Sequence, residues 1–343
     1  MTQITLSVGK LEPSILKQLV FSYLGSSDPR VIVGPKIGED AAVIDFKDQV
    51  LVVHSDPITG IIENIGWLAI NVCTNDIATR GIRSQWVLIV MLLPQNFDLD
   101  QLKKIARQMD KAAEELDVAI IGGHTEVTAS VNRPIIIATA IGEAEKERFV
   151  RTSGAKIGDS IIATKGAAIE GTAILSTEMG KLLHLKVDKK IIQRARKFIK
   201  MTSVLKDALT AMEIGGIHSM HDATEGGIAG ALQEVAWASN IGIIAHEKKI
   251  PIYKETEAIC KVLNIDPLKT ISSGTLVIFC HPNKADKIVN ALRRKAIQAS
   301  VIGEALKKKK GCYILRRDGS MLNLSSPVKE EMWRILEMHN TCT

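Results

Sequence analysis

Four short motifs in the first part of the chain place acidic residues beside glycines, strand ends or other polar groups. They are Gly38-Glu39-Asp40-Ala41-Ala42, His54-Ser55-Asp56-Pro57, Asn75-Asp76-Ile77-Ala78 and Gly122-Gly123-His124-Thr125-Glu126. Magnesium prefers hard oxygen ligands, and proteins usually hold it with a few carboxylates together with the phosphates of a substrate. The pattern therefore predicts a magnesium–nucleotide site.

Asp76 is the acidic residue with the most informative setting. Residues 63–80 predict a helix whose apolar face includes Ala69 and Val72. Asp76 follows Val72 by one helical turn, so it falls on this apolar face. A buried aspartate is costly unless it is paired or binds a cation. The setting favours a metal or phosphate site over the alternative, a helix-terminal aspartate bonded to local backbone.

A second polar stretch lies in the other half of the chain. Asp222-Ala223-Thr224-Glu225-Gly226-Gly227 directly precedes a predicted helix that starts at Ile228. The beginning of a helix offers unpaired backbone N–H groups and a positive dipole, which suit an anion. The alternative is simple helix capping by Asp222 or Thr224, which would not need two adjacent glycines. The stretch therefore indicates a second phosphate-binding element.

The elements that must position the first motifs alternate between strands and helices. Strands are predicted at residues 50–53, 86–93, 118–121 and 134–141, and helices at 63–80 and 99–116. The order β-α-β-α-β-β indicates an α/β or α+β layer structure. Asp56 is then expected at the end of the first strand, and Gly122-Gly123 is expected to form a turn after the third.

The charged segment 143–151 predicts a domain boundary. Domains are expected at 1–150 and 151–343, with a short tail at 339–343. In the second domain, strands are predicted at 160–164, 275–280 and around Ile314, and helices at 168–179, 188–200, 203–214, 284–295 and 328–338.

Composition limits the class of protein. The 343 residues are 46% hydrophobic and 24% charged, as in ordinary soluble proteins. No apolar run reaches the roughly 18 residues of a membrane helix, and no signal peptide is recognisable. The five cysteines have no C-x-x-C spacing, which argues against a zinc site or a disulfide framework and predicts a reducing cytoplasm.

Charge is divided unevenly along the chain. Residues 1–150 have a net charge of −5, and residues 151–343 have +11. One interpretation is a solvated, lysine-rich surface, and the other is a basic domain that faces an acidic ligand or partner. With 4% aromatic residues and no recognisable nucleic-acid module, a nucleic-acid partner is not expected.

Six motifs, in order, resemble those of the aminoimidazole ribonucleotide (AIR) synthetase, or PurM-like, superfamily over about residues 34–330. They are Gly38-Glu39-Asp40-Ala41-Ala42-Val43-Ile44, Ser55-Asp56-Pro57, Asn75-Asp76-Ile77-Ala78, Gly122-Gly123-x-Thr125, Gly154-x-x-x-Gly158-Asp159 and Asp222-Ala223-Thr224-Glu225-Gly226-Gly227. Asn75-Asp76-Ile77-Ala78 after Asn64-Ile65-Gly66-Trp67, and Gly122-Gly123-His124-Thr125-Glu126-Val127, look most like the branch of the hydrogenase expression/formation protein HypE and its archaeal relatives.

The resemblance implies an α/β (α+β) two-domain PurM-like fold that binds ATP and magnesium. The N-terminal α/β domains would pair in a homodimer and join their sheets into a barrel-like core, and the second domain would be an α/β sandwich. Magnesium–ATP would lie in the cleft near the dimer seam, with Asp40, Asp56 and Asp76 as metal ligands. The implied cofactor-binding residues are Lys36, Gly38, Asp40, Asp56, Gly122, Gly123, Asp222, Gly226 and Gly227.

The same resemblance implies an ATP-dependent enzyme that phosphorylates a carboxamide or carbonyl oxygen. In HypE-type chemistry, an S-carbamoyl cysteine near the C-terminus is dehydrated to a thiocyanate during [NiFe]-hydrogenase maturation. Asp76, Glu126, His124 and Cys342 are the implied catalytic residues. A carbamoyltransferase and an iron-scaffold maturation protein are the implied partners.

Two positions depart from the family pattern. The chain ends Asn340-Thr341-Cys342-Thr343, whereas the family ends in Pro-Arg-Ile-Cys, so Cys342 is either the modified acceptor or an incidental thiol. His124 stands where many relatives have an acidic residue. Glu126 projects from the same face of an extended segment and could replace that residue, in which case His124 either contacts phosphate or substrate or forms a core hydrogen bond.

Two other functions stay open on the residues alone. One is a small-molecule kinase or ATP-dependent cyclo-ligase that resembles thiamine-monophosphate kinase, and the other is a nucleotide-binding assembly factor without catalysis. His54, Lys36 and Lys165 lie beside the motifs and are either phosphate contacts or ordinary surface residues. Selenophosphate synthetase needs a reactive cysteine or selenocysteine near its N-terminus. No cysteine precedes Cys73 in this chain, so that function is set aside.

Overall fold

The computed structural model describes residues 9–59 and 61–340, without the side chains of the last three. The described residues form two sheets, of six and seven strands, with helices packed against them. The strands of the first sheet end at Glu145, and those of the second begin at Ser160. A domain boundary at residue 150 stays a prediction.

The first sheet has the strand order β1-β2-β3-β6-β4-β5. Its strands are β1 (Val31–Val33), β2 (Ala42–Phe46), β3 (Gln49–Ile58), β4 (Ser84–Leu93), β5 (Ala119–Val127) and β6 (Ile135–Glu145). Neighbouring strands pair antiparallel except β4 and β5, which are parallel. A helix links β4 to β5, as a parallel connection requires.

Three helices belong to this part of the chain: α1 (Pro13–Leu19), α2 (Ile65–Ala78) and α3 (Leu99–Leu116). Every residue of α2 is buried, because the helix packs between β3, β6, α3 and the second half of the chain. The side chain of Asp98 caps α3 by accepting hydrogen bonds from two backbone N–H groups. The predicted helices at 63–80 and 99–116 are confirmed.

The second sheet has the strand order β13-β12-β9-β11-β7-β10-β8. Its strands are β7 (Ser160–Thr164), β8 (Ile217–Asp222), β9 (Gly242–His246), β10 (Leu276–Cys280), β11 (Ala299–Leu306), β12 (Cys312–Leu315) and β13 (Met321–Asn323). The helices of this half are α4 (Ile169–Glu178), α5 (Gly180–Leu183), α6 (Lys189–Arg196), α7 (Leu205–Ile214), α8 (Gly227–Ser239), α9 (Lys254–Leu263), α10 (Pro282–Arg294) and α11 (Met332–Asn340).

Helix α2 joins the two halves through buried hydrogen bonds. The Asn75 side-chain amide donates to the Thr202 carbonyl oxygen at 2.8 Å and accepts from the Val204 backbone N–H at 2.8 Å. The Trp67 indole N–H donates to the Ile199 carbonyl oxygen at 2.9 Å. The helix that carries Asp76 is therefore fixed to both sheets.

Helices cover one face of the first sheet, and the other face is partly exposed. Val87 and Ile89 of β4 are buried on the helix side, whereas Leu88 between them is 36% exposed on the other face. The edge strand β5 is exposed along its whole length, including Ile120 and Ile121. The chain itself thus leaves apolar strand surface uncovered.

Two expectations about strand ends are wrong. Asp56 does not follow a strand, since β3 continues to Ile58 and Asp56 pairs with Ala138 of β6. Gly122 and Gly123 do not form a turn, since both lie inside β5. Pairing with a long neighbouring strand carries each segment past its polar residues, and short-range patterns do not contain that information.

Candidate active site

Four aspartates from four different elements meet between the two halves of the chain. Asp40 precedes β2, Asp56 lies in β3, Asp76 in the last turn of α2, and Asp222 ends β8. A cavity of about 380 Å³, here called the aspartate cavity, is lined by residues of both halves. They include Lys10, Lys36, Gly38, Asp40, His54, Asp56, Asp76, His221, Thr224, Glu234 and Trp237.

One acidic group of the site consists of His54, Asp56 and Asp76. Their potential ligand atoms all lie within 4.8 Å of one another. His54 Nε2 is 3.4 Å from Asp76 Oδ2, and neither atom has a hydrogen-bond partner. Burial raises the pKa of Asp76 well above its usual value, and the charges of Asp222, Asp56 and Asp40 add to the effect.

The second group consists of Asp40, His221 and Asp222. His221 Nδ1 lies 3.2 Å from Asp40 Oδ1 and 3.8 Å from Asp222 Oδ1. Both carboxylate oxygens of Asp222 are buried without a hydrogen bond. Burial also raises the pKa of Asp40, although His221 and Arg80 act in the opposite direction.

His221 supplies positive charge inside this acidic site. Its Nε2 is 2.7 Å from Glu234 Oε2. Burial acts to lower the pKa of His221, but the nearby Asp40 and Asp222 and the hydrogen bond with Glu234 raise it to about 10. The buried imidazole is therefore charged at neutral pH and partly compensates the aspartates. The sequence reasoning missed His221 and Glu234, although His221 directly precedes the motif at Asp222.

A divalent cation fits the donor set of the site. Asp76 Oδ2 and both oxygens of Asp222 are buried without a hydrogen bond, whereas buried carboxylates are normally hydrogen-bonded or bound to metal. The oxygens belong to hard ligands of the kind that magnesium prefers. A bound cation would favour the ionised aspartates that burial otherwise disfavours.

The N-terminal segment closes one wall of the site, which the sequence did not predict. The Lys10 backbone N–H donates to Glu225 Oε2 at 2.8 Å. The Lys10 ammonium donates to Thr224 Oγ1 and to Glu234 Oε1, each at 3.3 Å. Nothing near Lys10 in the sequence distinguishes it from a surface lysine.

The Lys36–Asp40 loop lies directly against α8. Gly38 has φ +82°, and a Cβ atom there would lie 2.7 Å from the Glu234 carbonyl oxygen. Gly38 is therefore needed for the close approach that brings Lys36 and Asp40 to the aspartate cavity. Glu39 also lines this cavity, and it forms a buried ion pair with Arg80 at 2.9 Å.

The beginning of α8 is occupied by a carboxylate of the same chain. The Gly226 N–H donates to Glu330 Oε2 at 2.7 Å, and the Gly227 N–H donates to the Thr224 carbonyl oxygen. The N-terminus of α8 therefore binds an anionic group, as predicted, but this group is the Glu330 carboxylate of the same chain. A nucleotide-binding role of Gly226 and Gly227 stays a prediction.

Lys165 has buried partners inside the second half. Its ammonium donates to both carboxylate oxygens of Asp207 at 2.8 Å, and to the carbonyl oxygens of Ser203 and Gly274. These bonds use its donors, so Lys165 serves packing in this structure, and phosphate contact is not favoured.

The structure does not bring His124 and Glu126 to the aspartates within one chain. Gly123 pairs with Ile89, Ile89 with Ala138, and Ala138 with Asp56. Three strand spacings therefore separate Gly123 from Asp56, roughly 14 Å. His124 Nε2 and Glu126 Oε2 lie 3.1 Å apart on the exposed edge.

Gly123 serves the pairing of β4 with β5. A Cβ atom at Gly123 would overlap the Ile89 carbonyl oxygen. The nucleotide-binding roles of Gly122 and Gly123 stay predictions, as do the catalytic roles of His124 and Glu126. Cys342 lies outside the described residues.

Two AIR synthase related families match the chain. The N-terminal domain family matches residues 38–144, and the C-terminal domain family matches residues 156–315. Together the matches cover both sheets except the edge strands β1 and β13 and the last residue of β6. Among residues 9–59 and 61–340, no helix combines the length and apolarity needed to span a membrane.

Curated relatives include proteins of hydrogenase expression and formation. A hydrogenase expression/formation protein of Methanocaldococcus jannaschii is 31% identical over 313 residues, which cover 89% of this chain and 91% of the relative. The carbamoyl dehydratase HypE of Rhizobium leguminosarum bv. viciae is 32% identical over 249 residues, which cover 71% of this chain and 68% of the relative.

Solved structures of HypE share the fold. One comes from a HypE–HypF complex, with a TM-score of 0.74 and 24% identity, and the match covers 92% of this chain and 100% of that chain. Another is HypE in complex with ATP, with a TM-score of 0.71 and 23% identity, covering 96% and 98%. The predicted two-domain PurM-like fold is thus confirmed.

Proposed function

Since the chain belongs to the family of hydrogenase expression/formation proteins that includes the carbamoyl dehydratases HypE, we propose that it is an ATP-dependent enzyme that dehydrates an S-carbamoyl cysteine to a thiocyanate. The observation on which the proposal rests is the group of buried aspartate oxygens without hydrogen bonds, which are Asp76 Oδ2 in the lining of the aspartate cavity and Asp222 Oδ1 and Oδ2 beside its lining residue His221. Such a group suits magnesium and the phosphates of a nucleotide.

Asp40, Asp56, Asp76 and Asp222 would hold the magnesium ion, which would supply positive charge to the phosphate oxygens of ATP. The His221 imidazolium adds a positive charge next to Asp40 and Asp222. Positioning and electrostatic stabilisation are the main contributions that a protein makes to phosphoryl transfer.

The proposed reaction balances in two steps. The carboxamide oxygen forms a bond to the γ-phosphorus of ATP, and the bond from that phosphorus to the ADP oxygen breaks. The carbon–oxygen bond then breaks as phosphate leaves, and the nitrogen loses both protons as it becomes a nitrile. One proton ends on the phosphate and one goes to solvent, so the products are thiocyanate, ADP and phosphate.

A homodimer is part of the proposal. Its support is the uncovered apolar face and edge of the first sheet, at Leu88, Ile120, Ile121 and Val127. Exposed apolar surface of this kind marks interaction sites, and an open sheet edge invites pairing. A second copy would cover this surface, and it could carry its His124 and Glu126 toward an aspartate cavity.

The proposal extends to partners and location. A complex of HypE with HypF supports a carbamoyltransferase partner for this chain, and an iron-scaffold protein would receive the cyano group. The described cysteines, Cys73, Cys260, Cys280 and Cys312, are all unpaired. Unpaired thiols are consistent with a reducing cytoplasm.

Mass spectrometry of the Cys342 peptide tests the proposal. The chain is carbamoylated at Cys342 by a carbamoyltransferase partner, or chemically with cyanate, and then incubated with magnesium–ATP. The carbamoyl adduct should become a cyano adduct only when ATP and magnesium are both present, and a Cys342→Ser variant should show neither. ATP turnover with a persistent carbamoyl adduct would contradict the proposal and would favour a free small molecule as the acceptor.

A further inference from the structure

A second cavity of about 430 Å³ adjoins the aspartate cavity, and we call it the α4 cavity. The two cavities share Lys10, Asp56 and Thr224 in their linings. The other lining residues include Val72, Glu170, Ile174, Glu225, Ile271, Ser273, Met332 and Trp333. A group bound in the α4 cavity would therefore lie next to Asp56 and the phosphate end of a nucleotide in the aspartate cavity.

Glu170 is the unusual residue of the α4 cavity. It is the second residue of α4 and only 4% exposed, and its Oε2 atom has no hydrogen-bond partner. A carboxylate that only favoured the helix dipole would work equally well on the surface. A buried carboxyl with an unsatisfied oxygen is costly, and a ligand that donates a hydrogen bond would remove that cost.

Other carboxylates near the α4 cavity have partners that account for them. Glu330 accepts hydrogen bonds from the backbone N–H groups of Gly226, Ile271 and Met332. Glu225 accepts from the Lys10 backbone and from the Trp333 indole. Glu170 differs from both, since hydrogen bonds from Ser273 act on its carboxyl group but its Oε2 atom is left without a partner.

We propose that the α4 cavity binds the carboxamide end of the acceptor, and that Glu170 accepts a hydrogen bond from its N–H group and then takes one of its protons. This inference rests on the proposed function, because it assigns a binding site to the carboxamide acceptor, the second substrate of that reaction. The aspartate cavity supplies the nucleotide side, and Asp56 lies on the boundary between the two.

The chemistry of the acceptor matches the cavity. A primary carboxamide is neutral and has two N–H donors, which suit a lining that combines apolar side chains such as Val72 and Ile174 with the unsatisfied carboxylate of Glu170. In the reaction above, the nitrogen must lose both protons, so a base is needed on the nitrogen side. Burial raises the pKa of Glu170 to about 7, although the neighbouring Ser273 partly opposes it. A base with a pKa near the working pH is effective at taking a proton.

Two variants of Glu170 separate binding from proton transfer. Glu170→Gln keeps the shape and a hydrogen-bond acceptor but cannot take a proton. Glu170→Leu removes both abilities while keeping apolar volume. Glu178→Gln is the matched control, since Glu178 lies on the exposed end of the same helix and outside the lining of the α4 cavity.

The first measurement is single-turnover conversion of the carbamoylated chain with magnesium–ATP. Glu170→Gln should convert Cys342 about 100-fold more slowly than the unchanged chain, the range expected for loss of a general base. Its affinity for magnesium–ATP, measured by calorimetry, should stay within about twofold, and Glu178→Gln should match the unchanged chain in both. Conversion by Glu170→Gln at the rate of the unchanged chain would overturn the assignment.

The second measurement is binding of S-ethyl thiocarbamate and its N,N-dimethyl analogue, in the presence of magnesium and a non-hydrolysable ATP analogue. The unchanged chain should bind the first compound about tenfold more tightly, since the analogue has no N–H for the buried carboxylate. Glu170→Leu should lose this preference. Equal affinity of the unchanged chain for both compounds would overturn the inference.

The two measurements also separate this inference from the proposed function. If the unchanged chain prefers the thiocarbamate with free N–H groups but never converts carbamoylated Cys342, the dehydration fails and the acceptor site stands. If conversion proceeds equally in Glu170→Gln and in the unchanged chain, the dehydration stands and the assignment of Glu170 fails.

Discussion

Two buried groups of charges in this protein differ in how completely they are satisfied. Lys165 and Asp207 form one, in which the ammonium has two carboxylate and two carbonyl acceptors. Asp76, Asp222 and His54 belong to the other, in which buried polar atoms have no hydrogen-bond partner. The side chains of Lys165, Asp207, Asp76 and Asp222 are at most 11% exposed, and that of His54 is 20% exposed.

The difference shows that burial of charge is not by itself a sign of function. A satisfied pair such as Lys165–Asp207 can be part of the packing of one domain. An unsatisfied group persists only if something outside the chain completes it, or if the fold tolerates its cost. The following predictions test whether the two groups respond in opposite ways.

The largest expected effect is loss of stability when the satisfied pair is broken. Asp207→Asn should lower the free energy of unfolding by about 3–5 kcal/mol, because it leaves the Lys165 ammonium buried without its counter-charge. Urea titration at neutral pH measures the effect. Glu213→Gln is the control, since it removes the exposed ion pair with Lys295 and should cost less than about 1 kcal/mol. Equal effects of the two substitutions would contradict the comparison.

Asp76→Asn should lower activity without lowering the stability of the fold. We expect ATP turnover to fall about 10²–10³-fold, the size of effect known for the loss of one preorganised electrostatic contact. In EDTA, the same variant should be at least as stable as the unchanged chain, because it removes a charge from a group of repelling, desolvated aspartates. Lower stability of the variant in EDTA would contradict this prediction, because it would show that Asp76 stabilises the fold as the Lys165–Asp207 pair does.

Glu170 is a further buried carboxylate with an unsatisfied oxygen, and it should make the free energy of unfolding depend on pH. Its pKa is raised by burial from 4.5 to about 7, so the folded state holds its proton more tightly than the unfolded state does. The stability that this provides is complete below pH 4.5 and is lost as the pH rises through 7. Glu170→Gln should therefore gain up to about 3 kcal/mol over the unchanged chain between pH 4.5 and pH 8. A constant difference between the two in urea titrations would contradict the prediction.

Magnesium should stabilise only through the unsatisfied group. At 100 times its dissociation constant, the ion should raise the free energy of unfolding by about 2.7 kcal/mol. Asp222→Asn should lose most of this gain, and Asp207→Asn should keep it despite its lower starting stability. Sodium chloride at equal ionic strength is the control for screening, and a gain of the same size with sodium would show that no specific cation site exists.

The sequence predicted the parts of the site that depend on local pattern. Helical periodicity placed Asp76 on a buried face, and the structure confirms both the helix and the burial. The motifs also located Asp40, Asp56 and Asp222. Strand ends were predicted poorly, because Asp56 is held inside β3 by pairing with Ala138, which is far away in the sequence.

Residues that reach the site through tertiary packing were not predictable. Lys10 contacts Glu225 across 215 positions of sequence, and Glu234 meets His221 only because α8 folds back over the end of β8. Glu170 sits in an ordinary apolar helix, and no neighbouring residue signals its role. A single sequence shows the order of such residues but not which distant segments they touch.

The hydrogen bonds of Asn75 and Trp67 have a consequence for folding. They tie the central helix of the first half to residues 199–204 of the second half. Unfolding of either half alone would break these bonds and expose the buried residues of α2 that pack at the junction, which is costly. We therefore expect a single cooperative denaturation transition seen alike by fluorescence and circular dichroism, although the chain contains two sheets.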